Sequence, residues 1–396
     1  MTNNEKDAKE QGLVICGISA REDTDIGFAS PKEIDHAVRH IPERTTEPEL
    51  GEDRYSITLS PGSVKVSRKL GSPAPKSENY KPKTSITKWT KQSRSNMVAV
   101  LASLDYNPLF EFGYSTPAML TLTYPKSWEV VAPTAADTKR HMRLFRQRYE
   151  RMFDRKLRGC WKLEWQARSA PHIHIFCVPP EIPEFRMWLS TTWADIVNAP
   201  DPEEKKKHLK AGTGIDYGEG IRASDPKRLA VYFTKHGSAN FGDKEYQNQP
   251  PDLWVNDGSI GRLWGYYGLK AALATVEVDT ADALFIARTL RRWQKAQSKP
   301  RRVKVWRTNS KTGEVKPRYV KRKKKYLKKR SGFMSVNDGS VMGETLARAL
   351  AAHKGEEVSV RSADQADALS PQTSPRPELP QLPLVVKERL SRLLGL

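Results

Sequence analysis

WKLEWQARSAPHIHIFCV, residues 161–178, is the stretch on which the fold turns. Its odd positions Trp161, Leu163, Trp165, Ile173, Ile175 and Cys177 are apolar, and its even positions Lys162, Glu164, His172 and His174 are polar. A strand sends successive side chains to opposite faces, so this alternation describes two half-buried strands. Gln166 to Pro171 is short enough to be the turn between them, and an antiparallel pair joined there sets even positions against even ones. Glu164 then lies across the ladder from His172 and His174. One carboxylate and two imidazoles on one surface make a site for a divalent metal ion with positions left open for substrate.

Two further segments extend this face. In MLTLTYP, residues 119–125, Leu120 and Leu122 point one way and Thr121 and Thr123 the other. A third strand beside the hairpin keeps its leucines on the core and brings its threonines to the histidines. In SDPKRLAVYFTKHGS, residues 224–238, Asp225 suits a helix N-cap, Pro226 the first turn and Gly237 the C-terminal cap. That helix sets Arg228, Tyr232, Lys235 and His236 on one side, at spacings of three and four. A tyrosine with cations one turn away is suited to attack a phosphodiester, because the cations favour phenolate character. Taken singly, each element has a structural explanation, such as a core His-x-His pair or plain β-propensity in the threonines. Their joint order on one face carries the functional reading.

The whole chain of 396 residues carries a formal charge of +21, a balance suited to a polyanionic partner. The charge is concentrated. Residues 299–330 hold 16 basic and one acidic side chain, whereas residues 1–75 are net acidic, with 10 basic against 13 acidic. The composition divides the chain into a loosely structured extension (1–90), a folded domain (91–298), a basic arm (299–330) and a flexible tail with a short terminal helix (331–396). A helix near 97–104 is expected to open the domain and one at 281–296 to close it. RRVKVWRTNSKTGEVKPRYV in the arm alternates on both sides of Thr312-Gly313-Glu314, the pattern of a hairpin. Sixteen cations near one glutamate are expected to neutralise the phosphates of duplex DNA without reading its sequence. No run of about 18 apolar residues and no secretory pattern is seen, and Cys16, Cys160 and Cys177 are too few for a disulfide framework. A soluble protein of a reducing compartment is expected, without a membrane partner. No phosphate-binding G-x-x-x-x-G-K-[ST] loop occurs, which argues against a nucleotide-driven helicase.

Together these residues resemble the rolling-circle replication initiators of bacterial plasmids and phages, within the HUH endonuclease superfamily. LTLTYP at 120–125 is similar to the first motif of that family, PHIHIF at 171–176 to its metal motif, and YFTK at 232–235 to the motif of its nucleophilic tyrosine. RLWGYYGL at 262–269 is similar to the trailing motif of one bacterial subgroup, so the resemblance covers about residues 90–275. It implies an α+β fold, a ferredoxin-like or RNA-recognition-like antiparallel sheet with helices. It implies Mg²⁺ or Mn²⁺ on Glu164, His172 and His174, and attack by Tyr232, assisted by Lys235, on one DNA strand. A 5′-phosphotyrosyl link and a free 3′-hydroxyl primer result, and the strands are rejoined at termination.

DNA contacts are assigned to Arg228, Lys162, Thr121 and Thr123, and in the arm to Arg301, Arg302, Lys321, Arg322 and Lys323. The implied partners are origin DNA, single-stranded at the nick with flanking duplex, and the host helicase and DNA polymerase, in the bacterial cytoplasm; self-association is left open. His236 stands where a second tyrosine would be, and Arg228 where some plasmid initiators have a glutamate. A single tyrosine is therefore expected, and the termination step is left to a second subunit, Glu219 or another group. The alternatives are a conjugative relaxase, a single-tyrosine transposase, and a DNA-binding replication factor without enzymatic activity.

Overall fold

In the computed structural model the two alternating runs pair antiparallel as expected, Gly159–Trp165 against Pro171–Cys177, with Glu164 opposite His172 and Lys162 opposite His174. The structure describes residues 29–47, 49, 51–71, 86–111, 116–222, 249–258, 260–297, 301–308, 312–322, 332–336 and 338–356. In chain order, α1 (Pro31–Arg39) precedes the hairpin β1 (Arg54–Ser60) and β2 (Ser63–Lys69). Then come α2 (Lys91–Leu101) and β3 (Leu104–Asp105). A central block follows: β4 (Ala118–Thr123), α3 (Trp128–Val131), α4 (Ala135–Phe153), β5 (Gly159–Trp165) and β6 (Pro171–Cys177). It continues with α5 (Phe185–Val197), α6 (Pro202–Ala211) and β7 (Thr213–Asp216). Beyond it are α7 (Tyr217–Arg222), α8 (Asp252–Asn256), β8 (Trp264–Tyr267), β9 (Lys270–Ala271), β10 (Ala274–Val278) and α9 (Thr280–Gln297). The described chain ends with β11 (Arg301–Thr308), β12 (Val315–Arg322), β13 (Gly332–Val336) and α10 (Gly339–Lys354).

The central block forms a five-stranded sheet in the order β7-β4-β6-β5-β8, antiparallel throughout. Its first four strands follow the β-α-β-β-α-β pattern of a ferredoxin-like unit, and β8 adds an edge. The fold is α+β, as expected. Leu120, Leu122, Leu163, Trp165, Ile173 and Ile175 all face one way and share a core with Phe145, Tyr149, Trp188 and Trp193 of α4 and α5. Each such buried side chain contributes roughly 1.5–3 kcal/mol of burial free energy. Helix α4 forms where it does because Thr134 and Asp137 close a capping box and its buried residues recur every three or four positions. It stops at Asp154, which adopts the left-handed conformation.

A second sheet, in the order β10-β1-β2-β13, corrects the expected division of the chain. The segment 1–90, read as loosely structured, supplies both central strands of this sheet and the helix α1. The segment 331–396, read as a flexible tail, supplies β13 and α10. Ile57, Leu59, Val64 and Val66 from the N-terminal hairpin are buried with Val276, Val278, Ile286, Leu290, Leu346 and Leu350. The acidic charge of the N-terminal segment sits around these short strands rather than in place of them. Helix α9 spans the closing helix expected at 281–296, and the helix expected near Met97 begins earlier, at Lys91. The terminal helix expected around 385–394 lies outside the described residues.

The expected basic hairpin pairs β11 with β12, and Gly313 takes a positive φ of 67° in its turn. Cys160 and Cys177 are buried free thiols, both pushed up to about 12 by burial. No helix among the described residues is long and apolar enough to cross a membrane.

Candidate functional site

The face of the central sheet opposite α4 and α5 is organised in cross-strand rows. One row, Asp216–Met119–Phe176–Cys160–Tyr266, contributes Met119, Cys160 and Phe176 to an apolar cluster with Met97, Leu101 and Tyr106. The next row is Gly214–Thr121–His174–Lys162–Trp264, and the one beyond it is Thr123–His172–Glu164. Polar residues thus begin where the α2 cover ends. The strand alternation had placed Glu164, His172, His174, Lys162, Thr121 and Thr123 on one face, and the register brings all six into these two rows.

Their contacts are specific. Glu164 is 2% exposed, and its Oε1 is ion-paired with Lys162 Nζ without hydrogen-bond geometry. Its other oxygen stands 3.7 Å from His174 Nε2. Thr121 Oγ1 lies 3.3 Å from His174 Nδ1, so the threonine holds one ring edge while the other faces the carboxylate. The His172 and His174 rings meet edge to face with centroids 4.5 Å apart. Burial, reinforced by the cations of Arg168 and Lys162, lowers the His172 pKa to about 4, which keeps the ring neutral and its lone pair available at pH 7. Thr123 has a different job in the structure, since its hydroxyl donates to Gly212 O at 3.0 Å.

Two residues absent from the sequence reading support His172. Gln166 Nε2 lies 3.3 Å from His172 Nδ1, and Arg168 Nε donates to Gln166 Oε1 at 3.0 Å. Arg168 also donates to Pro125 O at 2.6 Å and to Tyr124 O, tying the hairpin turn to the end of β4. Gln166 continues the even-numbered polar series of 162 and 164, a signal visible in the alternation. Trp89, whose ring lies 5.7 Å from Lys162 Nζ and whose Nε1 donates to Leu163 O, carries no such signal because it comes from a segment 74 residues away. A cleft of about 630 Å³ borders these rows, lined by Thr123, Gln166, Arg168, Lys126, Lys207 and His208 among others. A larger one, of about 1030 Å³, lies between α4 and α5 on the far side of the sheet and touches none of the polar rows.

The donor set suits a divalent ion in kind: a buried carboxylate with an oxygen lacking a hydrogen bond, and two imidazoles, one held neutral. Among the described residues, however, no three His, Cys, Asp or Glu side chains converge at ion-holding distances. Lys162 already neutralises Glu164 and competes with any cation for it. Tyr232, Lys235, Arg228 and Lys323 lie outside the described residues. The backbone of Arg301, Arg302, Lys321 and Arg322 belongs to the β11–β12 hairpin, apart from this sheet.

Residues 117–238, which include β4, β5, β6 and the two polar rows, match the family model of the replication-associated protein ORF2 and its phage counterparts. A replication-associated protein of Pseudomonas phage Pf3 is 24% identical over 227 residues, covering 55% of this chain and 72% of that protein. No solved structure matches. Through the block that carries its strand-borne histidines, the chain is similar to the replication-associated proteins of that family.

Proposed function

We propose that this protein initiates rolling-circle replication by nicking one strand of origin DNA. The observation that carries the reading is the register that sets Glu164, His172 and His174 in adjacent rows of one sheet face, inside the block matched by the replication-associated family. Glu164, His172 and His174 would hold a Mg²⁺ or Mn²⁺ ion, which when bound withdraws charge from a scissile phosphate. Arg168 and Gln166 fix the direction of His172, and Thr121 that of His174. Tyr232 attacks the phosphorus, the bond to the 3′-oxygen breaks, and the chain becomes joined to the 5′ end through the tyrosine. The phenol loses its proton and the 3′-oxygen gains one, leaving a primer for the host polymerase behind a host helicase. Lys235, one helical turn from Tyr232, offsets the charge of the phosphotyrosine, and Lys162, Arg228 and the arm hold the strand.

One observation favours a second reading, a DNA-binding replication factor that does not cut: the Lys162–Glu164 pair gives the buried carboxylate a structural partner. A nicking assay on labelled single-stranded origin DNA separates the two. The initiator cuts in Mn²⁺ or Mg²⁺, stops in chelator, and loses cleavage with His174→Ala while keeping DNA binding. Cutting by the alanine variant in chelator removes the metal assignment, and binding without cutting by the wild type leaves the second reading.

A further inference from the structure

We propose that the β11–β12 hairpin is a stacking platform for single-stranded DNA, a reading that rests on DNA being the substrate of the central sheet. Nine of the residues from 301 to 322 are Lys or Arg, against the single acidic Glu314, whose carboxylate pairs with Lys316 at 2.9 Å. That charge suits any polyanion and accounts equally well for the expected contact with duplex phosphates. It does not account for the aromatic residues. Trp306 is 61% exposed and Tyr319 63% exposed, on a two-stranded sheet that pairs with neither of the larger ones. Rings of that size normally serve a core.

The register places both on the same face. Trp306 is opposite Pro317 and Lys304 is opposite Tyr319, so Trp306 and Tyr319 are diagonal neighbours across the ladder. Such neighbours stand roughly 7–8 Å apart, room for one base between two rings or for two successive bases, one on each. Val315 and Pro317 continue this face toward the turn, while positions 302, 304 and 321 fall on it toward the base of the hairpin. An apolar and aromatic strip bordered by cations is complementary to a strand whose bases are unstacked and whose phosphates run alongside. A duplex hides its base faces in the stack and offers this strip nothing beyond phosphate. A lone two-stranded hairpin is at best marginally stable in water, which fits an arm that gains order from its ligand.

The test uses the full chain in chelator, with a fluorescent oligo-dT of about 20 nucleotides and a blunt duplex of similar length, read by anisotropy. Trp306→Ala and Tyr319→Ala are each expected to weaken oligo-dT binding by about 5- to 150-fold, the range for loss of one stacked base. Trp306→Phe should recover most of the loss, and duplex binding should stay within about twofold. If ~5 phosphates are contacted, the log–log salt slope on oligo-dT is about −3.5 and the aromatic variants leave it unchanged. Unchanged oligo-dT affinity in both alanine variants, or equal weakening on both substrates, would overturn the platform. Nicking of a short origin strand is measured in parallel. Loss of nicking in the wild type with ring-dependent binding intact counts against the proposed initiator alone, and the reverse pattern against the platform alone.

Discussion

Lys162 and Glu164 are adjacent on one strand face, both buried, and hold each other's charge in the absence of anything else. Breaking a buried pair by removing one partner costs about 3–5 kcal/mol, because the other charge is left without compensation. Lys162→Met is therefore expected to lower stability by about that much in chelator, and a Mn²⁺ ion shared by Glu164 and the histidines should recover part of it by mass action. Denaturant midpoints with and without Mn²⁺ give the check; an identical loss under both conditions contradicts a metal on Glu164. His141, away from this site, offers a separate test of burial. Its Nδ1 lies 3.0 Å from the Tyr124 hydroxyl, Arg140 and Asp137 are its charged neighbours, and burial first, then Arg140, lowers its pKa to about 4. A histidine held neutral in the fold and ionised near 6.5 when unfolded binds fewer protons when folded, so its contribution is full above about pH 6.5 and is lost as pH falls toward 4. The loss is about 3 kcal/mol by the size of that shift. Denaturant melts at pH 7 and pH 4.5 should show the wild type losing more stability than His141→Gln, and an equal loss would contradict it.

At the scale of elements, period-two alternation carried the central sheet and failed for its neighbour. Trp161 to Cys177 alternate without interruption, and both strands and their pairing followed from that pattern alone. Ile57, Leu59, Val64 and Val66 alternate just as well around Pro61-Gly62, but the acidic composition of the flanks made the segment read as loose. The partners of that hairpin, β10 and β13, come from beyond residue 270. Nothing local in the sequence announces pairings at that separation. The same limit hid Trp89 over Lys162, while Gln166 and Arg168 were within reach of the pattern. If the N-terminal hairpin is part of the core, Ile57→Ala costs about 2–5 kcal/mol, as a large-to-small change at a fully buried site does. A loosely structured extension would tolerate it with no shift in the melting transition, and calorimetry decides between the two.

Over the whole molecule, the division of labour follows the charge. The second sheet is built from both flanks of the central block and packs its own core, and the +15 arm at 299–330 projects from between α9 and β13. Substrate strand, histidine face and arm come together only if the central sheet cuts what the hairpin holds. The most direct test maps the covalent product: full-length protein, labelled single-stranded origin DNA and Mn²⁺, nuclease trimming, then mass spectrometry of the peptides. The expected result is a nucleotide adduct on the peptide containing Tyr232, joined through a 5′-phosphate, absent from Tyr232→Phe and His174→Ala and absent in chelator. Cleavage without an adduct, or an adduct that persists in Tyr232→Phe, would contradict it.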